Sequence, residues 1–117
     1  MIHVKFSMDW KTMTVSMDVQ GHAMMAAPRE EEPVRAAVMA LVYTLAQAVQ
    51  FLYEQDLLLE RPQVRICDGY ASIIARPRKS AQGVALMPFW TIQAGFYVLE
   101  RNFPKRFSLI SLEFSRG

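Results

Sequence analysis

The chain has a single cysteine, two histidines and five glycines in 117 residues. One thiol, Cys67, excludes an internal disulfide and any metal cage built from several thiolates. It also suits a reducing compartment, and a cytoplasmic protein is the expectation. His3 and His22 are the only histidines, and no clustered acidic residues accompany them at ligand spacing, so neither a metal site nor another cofactor is expected. Neither sign of charge dominates: 13 Lys and Arg against 11 Asp and Glu give a net charge of +2. The resulting pI of about 8.9 is too mild to argue for a nucleic-acid partner. The opening residues alternate apolar and polar, unlike a signal peptide. The most apolar region, Val34 to Leu59, is interrupted by Arg35, Gln47, Gln50 and Glu54, which argues against a membrane span and for a soluble protein.

What the sequence does have is core material. It is 52% hydrophobic and 21% charged, so disorder is excluded and one domain spanning residues 1–117 is expected. Ile2, Val4, Phe6 and Met8 alternate with His3, Lys5 and Ser7, the pattern of a half-buried strand. Asp9-Trp10-Lys11 reads as a turn, and Met13, Val15, Met17 and Val19 make a second alternating strand, so the pair forms a hairpin. A loop over residues 20–32 contains Pro28 and the run Arg29-Glu30-Glu31-Glu32.

Pro33 suits the first turn of a helix, where its missing N–H costs nothing. Val34, Val38, Leu41, Val42, Leu45, Val49 and Leu52 then mark one face of a helix from Pro33 to Tyr53. Ala36, Ala40 and Ala46 leave its other face small, consistent with cover on both sides. Val64 and Ile66, the pair Asp68-Gly69 and the run from Tyr70 to Arg76 predict a second hairpin. A basic loop follows over residues 77–83. A second helix is predicted from about Pro88 to Asn102, with Ile92, Phe96 and Leu99 inward and Gly95 closely packed. A last strand runs from Phe107 to Phe114. The order ββαββαβ predicts an α+β, two-layer sandwich: one mostly antiparallel sheet with two helices packed on it.

These segments carry a resemblance. Met1-Ile2-His3-Val4, Gly21-His22-Ala23, Ala36-Ala37-Val38, Ala40-Leu41, Asp68-Gly69-Tyr70, Gly95-Phe96, Leu99 and Phe103-Pro104 together resemble the bacterial ribosomal-processing cysteine proteases, in order and over nearly the whole chain. The resemblance implies that His22, in the family's Gly-His-Ala motif, is the family base. It also implies a partner cysteine in the first turn of the first helix. A thiol there gains from the positive end of the helix dipole, a histidine serves as base and then acid, and helix N–H groups hold an oxyanion.

In this chain the matching stretch is Glu32-Pro33-Val34-Arg35-Ala36-Ala37, so Arg35 occupies the nucleophile position. A guanidinium is a permanent cation and no nucleophile toward a carbonyl. The family's glycine-rich loop is here Met24-Met25-Ala26-Ala27-Pro28-Arg29-Glu30-Glu31, without glycine; the family serine one turn beyond the cysteine is Met39; and the acidic residue before it falls at Glu32. Cys67 is expected to be buried and inert, as free cysteines usually are.

The resulting expectation is a non-catalytic relative, a pseudoenzyme of bacterial or phage origin. It would hold an extended peptide, or a ribosomal or phage structural protein, at Gly21, His22, Ala23, Met24, Glu32 and Arg35. The resemblance also implies a homodimer. Two alternatives stay open. One is an active endopeptidase that processes the N-terminus of a ribosomal or capsid protein. The other is a structural assembly module. Plainer roles also fit each residue: His22 keeps a turn, Arg35 pairs with Glu31 or Glu32, and Met24 packs in its loop. Arg76, Arg78 and Lys79 read as solvated loop residues, and Phe89, Trp90, Phe96 and Tyr97 as core or dimer interface.

Overall fold

The structure is a computed structural model that describes residues 2–21, 32–103 and 110–116. Strand β1, Ile2–Asp9, buries Ile2, Val4, Phe6 and Met8, and β2, Thr14–Gly21, buries Val15, Met17 and Val19. They pair antiparallel, with Asp9 opposite Thr14. The hairpin turn is held by Asp9, whose Oδ1 accepts the backbone N–H groups of Lys11 at 2.9 Å and Thr12 at 3.4 Å. Those bonds, Lys11 first, hold the Asp9 carboxyl below its usual range. Met13 closes the turn in the left-handed region at φ 58°.

Helix α1, Glu32–Glu54, presents Val34, Val38, Val42, Leu45, Val49 and Leu52 to the core. It ends in two bonds that satisfy its last carbonyls: Leu57 N–H donates to Leu52 O and Asp56 N–H to Tyr53 O, each at 3.0 Å. Asp56 takes the left-handed conformation this cap requires, at φ 59°. Arg78 secures it, donating to the Asp56 backbone oxygen at 2.9 Å and to its carboxylate at 2.8 Å. Arg76 donates to the Thr12 backbone oxygen at 3.0 Å, so two of the loop's cations have structural duties.

Strands β3, Gln63–Cys67, and β4, Tyr70–Ala75, form the second hairpin. Only Gly69 of its turn has a positive φ, at 76°, so the Asp68-Gly69 pair does not use the doubly left-handed geometry that both residues would tolerate. Helix α2, Gln82–Asn102, follows a 3-10 turn at Lys79–Ala81. It begins six residues before the expected start, and Pro88 lies inside it. The physical reason is burial. Starting at Gln82 places Ala85 and Leu86 in the core, and a buried leucine contributes about 1.5–3 kcal/mol. That gain is of the same size as the ~3 kcal/mol cost of an interior proline. The basic loop is correspondingly shorter than expected.

Strand β5, Ile110–Arg116, lies slightly C-terminal to its expected range and pairs parallel with β1. The sheet order is β3-β4-β2-β1-β5, antiparallel except for β1 with β5. The expected ββαββαβ order and two-layer architecture are therefore observed. Phe6 from the sheet meets Phe96 from α2 edge-to-face, with ring centroids 6.2 Å apart. The helices touch at Gly95, where an added Cβ would lie 2.6 Å from Leu41 Cδ2. The expected close packing of Gly95 is thus directed at α1.

Two expectations need correction. By length and composition the helix over Pro33–Glu54 is apolar enough to cross a membrane, because residues 36–53 carry no charge despite the interrupting glutamines. Its valine and leucine face is nonetheless committed to the sheet. The small residues on its other side are also less covered than expected: Ala36 and Ala40 are exposed, and Ala46 is half-buried.

Candidate functional site

The residues that the resemblance assigns to the site fall at the end of β2 and the start of α1, on either side of residues 22–31. Gly21 is the last residue of β2 and has φ 145°, a conformation that side-chain-bearing residues rarely adopt. Its N–H donates to Gly69 O at 3.1 Å. The turn of the second hairpin therefore holds the end of β2. Next to this contact, Gln20 pairs with Tyr70, and Tyr70 with Cys67, in one row across three strands. The Tyr70 hydroxyl reaches Asp18 Oδ1 at 3.4 Å on the same open face of the sheet. His22, Ala23 and Met24 lie outside the described residues.

On the far side of that segment, α1 starts at Glu32. Val34 and Val38 are fully buried and set the rotation of its first turns. Arg35, between them, is half-buried. Glu32 and Arg35 thus both stand in the opening turns of α1. A negative group there is favoured by the helix dipole and a cation is not. A thiolate would gain from this end of the helix, and a guanidinium does not.

Cys67 is exposed, contrary to the expected burial. It closes β3 beside the two-residue turn, on the open face rather than among the core residues, because its register partner Tyr70 alternates with buried Ala71 and Ile73. It stands two strands from Gln20, about 10 Å by ordinary strand spacing. Met39 is half-buried on α1. Of the named aromatics, Phe89 and Phe96 are in the core, while Trp90 and Tyr97 are exposed.

The sequence reading missed the Gly21–Gly69 contact. Its only signal was a Gly before the histidine and an Asp-Gly pair elsewhere, with nothing to say that the two meet.

The sequence matches the family described as cysteine protease Prp over residues 1–108. The chain belongs to the Prp family. No curated protein matches it significantly. Among solved structures, SMU.848 from Streptococcus mutans superposes with a TM-score of 0.69 at 20% identity, covering 100% of this chain and 96% of that one. The essential ribosomal processing protease Prp from Staphylococcus aureus, in complex with a substrate peptide, gives a TM-score of 0.65 at 19% identity, covering 97% and 99%. The same S. aureus protease with a covalently linked product peptide gives 0.63 at 20%, again covering 97% and 99%. At these identities the likeness shows a shared fold.

Proposed function

We propose that this Prp-family chain binds an extended peptide without cleaving it. The observation that carries the reading is Arg35 in the first turns of α1, where the family pattern calls for a thiol. The S. aureus relative holds substrate and product peptides, which supports a peptide as the ligand class. In this reading Gly21, His22, Ala23, Met24, Glu32 and Arg35 line the peptide site. Gly21 sets the chain direction, His22 is a base without a nucleophile, and Arg35 offers a planar fork to an acidic side chain or a peptide carboxylate. The ligand would be the N-terminal extension of a ribosomal or phage structural protein. Residues 1–117 would act as one domain, as a homodimer in the cytoplasm.

The test is to incubate the purified protein with a ribosomal-protein precursor carrying its N-terminal extension and to follow intact mass over hours, with Arg35→Cys alongside. The expected result is no cleavage by the native chain, with peptide binding that His22→Ala weakens. Activity gained by Arg35→Cys would mark a cleft that has lost only its thiol. Cleavage by the native chain would overturn the reading. Binding unaffected by His22→Ala would favour an assembly module that uses its outer surface.

One observation favours a second reading. Cys67 is exposed beside the turn that accepts the Gly21 N–H, so the chain's only thiol flanks the start of the Gly-His-Ala segment. An active peptidase built on it would lose all cleavage in Cys67→Ser and keep it in Arg35→Ala.

A further inference from the structure

The end of the sheet opposite Gly21 holds a cavity of about 300 Å³. Its walls include Thr12, Thr14, Arg61, Gln63 and Arg76, with Glu60 as their acidic member. Strand β2 starts here at Thr14 and ends at Gly21, roughly 23 Å away at ~3.3 Å per residue. The cavity is therefore separate from the residues assigned to the peptide. Its volume lies at the small end of ligand pockets, which run from about 300 to 1,000 Å³.

A local irregularity brings Arg61 to this place. Leu58 bridges Pro77, and Gln63 pairs with Ile74. Residues 59–62 thus stand opposite Ala75 and Arg76 alone, so the chain before β3 carries a two-residue bulge. Leu59 N–H still donates to Arg76 O at 2.8 Å, which puts the bulge at Glu60 and Arg61. Bulges re-aim side chains and gather beside functional sites.

The donors here are oriented and not used up. The Arg76 Nε–H donates to Thr12 O at 3.0 Å, which fixes the guanidinium plane and leaves its terminal nitrogens to other acceptors. The Arg61 guanidinium stands 5.6 Å from the Tyr53 ring centroid, a contact that occupies one face and spares the N–H edge. Thr12 Oγ1 donates to Thr14 Oγ1 at 2.8 Å, so the Thr14 proton can serve a third group. Among the described residues, neither Arg61 nor Arg76 has a carboxylate within ion-pair distance, although Glu60 lines the same cavity. Two guanidiniums against one carboxylate leave the cavity net positive, and two like charges on one wall repel until an anion joins them.

We propose that this cavity is a phosphate-binding site, taking inorganic phosphate or the phosphoryl group of a small monoester. Two guanidiniums, a hydroxyl and the Gln63 amide come from three segments of chain, which suits a tetrahedral oxyanion. A planar carboxylate is satisfied by a single fork. A hollow of about 610 Å³ shares Gln63 and Ile74 as walls and continues along β3 to Arg65, giving room for the organic part of a monoester. Glu60 opposes any anion and keeps the affinity modest.

The test is a ¹H–¹⁵N shift titration of the full chain with inorganic phosphate at constant ionic strength, with acetate as the carboxylate control. Saturable shifts are expected at the Thr12, Thr14 and Gln63 amides and at the Arg61 and Arg76 Nε–H groups. Arg61→Gln should raise the Kd at least about tenfold, whereas Glu60→Gln should lower it several-fold. Both residues are exposed, so both variants should fold, which unchanged shifts away from the cavity would verify. A purely structural role would not move the Kd in opposite directions. An unsaturated response to phosphate would overturn the proposal, as would equal shifts with acetate or an Arg61→Gln chain that binds like the native one. Phenyl phosphate separates the two sources: tighter binding assigns the site to a monoester, and equal binding assigns it to free phosphate. None of these readings uses a peptide, so this proposal and the peptide-binding one fail separately.

Discussion

Gly95 offers the sharpest check on how the two helices are joined. In an exposed helix, replacing glycine by alanine stabilises by about 1 kcal/mol. Here the new Cβ would lie 2.6 Å from Leu41 Cδ2 and 3.2 Å from Cδ1. Leu41 is half-buried, so it can rotate, but only by leaving its packing against α2. Overpacking of this kind costs about 1–3 kcal/mol. The two effects oppose each other, and the clash should win: Gly95→Ala is expected to destabilise by about 1 kcal/mol. Leu41→Ala removes the obstacle, so in that background Gly95→Ala should recover its intrinsic gain of about 1 kcal/mol. The cycle then shows a coupling of about 2 kcal/mol, well above the 0.5 kcal/mol scatter of independent sites. Urea unfolding of the four proteins, followed by circular dichroism at one fixed protein concentration, measures it; the fixed concentration removes any contribution from association. If Gly95→Ala stabilises the native chain by its full propensity gain, or the coupling is under 0.5 kcal/mol, the helices do not meet at this glycine and the argument fails.

Three further outcomes follow from the same geometry. Gly21→Ala forces an L side chain into φ 145° and should cost about 1–3 kcal/mol in urea unfolding, with peptide binding weakened as the chain's exit from β2 is redirected. Phe96→Ala removes a fully buried ring stacked edge-to-face on Phe6 and should cost about 3–5 kcal/mol; a cost below 1 kcal/mol would contradict the core placement. Asp9, held below the ordinary carboxylate range by the Lys11 and Thr12 N–H groups, stabilises the fold above the unfolded carboxyl value of about 3.9. That contribution disappears as pH falls through its lower folded value, so Asp9→Asn should flatten the acid limb of the stability curve below about pH 4 and leave its shape near neutrality unchanged.

Most of the fold was legible because its signals are local. Period-two alternation in β1 and β2 and the valine and leucine stripe of α1 each report burial from the spacing of neighbouring residues, and the structure buries those same residues apart from Met13, which lies in the turn before β2, and Leu41, both half-buried. The start of α2 was not legible. Pro88 punctuates a sequence strongly, and only tertiary burial of Ala85 and Leu86 outweighs it. The exposure of Cys67 was missed for a related reason: residue type favours burial, but the register with Tyr70 puts the thiol on the open face. Contacts between distant segments, such as Gly21 with Gly69, leave no periodic trace. Which apolar helix residues face outward also needed the structure: Tyr43, Phe51 and Trp90 are exposed, and a stripe that faces the sheet and one that faces outward are both simply apolar in the sequence.

The same geometry explains how a Prp-family fold can exist with arginine at position 35. The side chains that seat the start of α1 are Val34 and Val38, both fully buried. Residue 35 lies about 100° around the helix from residue 34, and Arg35 as a whole is half-buried, with its Nε buried. Gly21 is fixed from the other direction, by its own φ and by the Gly69 carbonyl. Neither anchor depends on a thiol. Exchanging a small side chain for a long cationic one at position 35 opposes the helix dipole by about 0.3–1 kcal/mol. The energetic consequence for folding is therefore small, and in the proposed reading the chemical consequence is large, since a guanidinium does not attack a carbonyl. Stability and catalysis are separable at this turn. For that reason Arg35→Cys is a fair test of the cleft: it alters the proposed chemistry and leaves both anchors of the site in place.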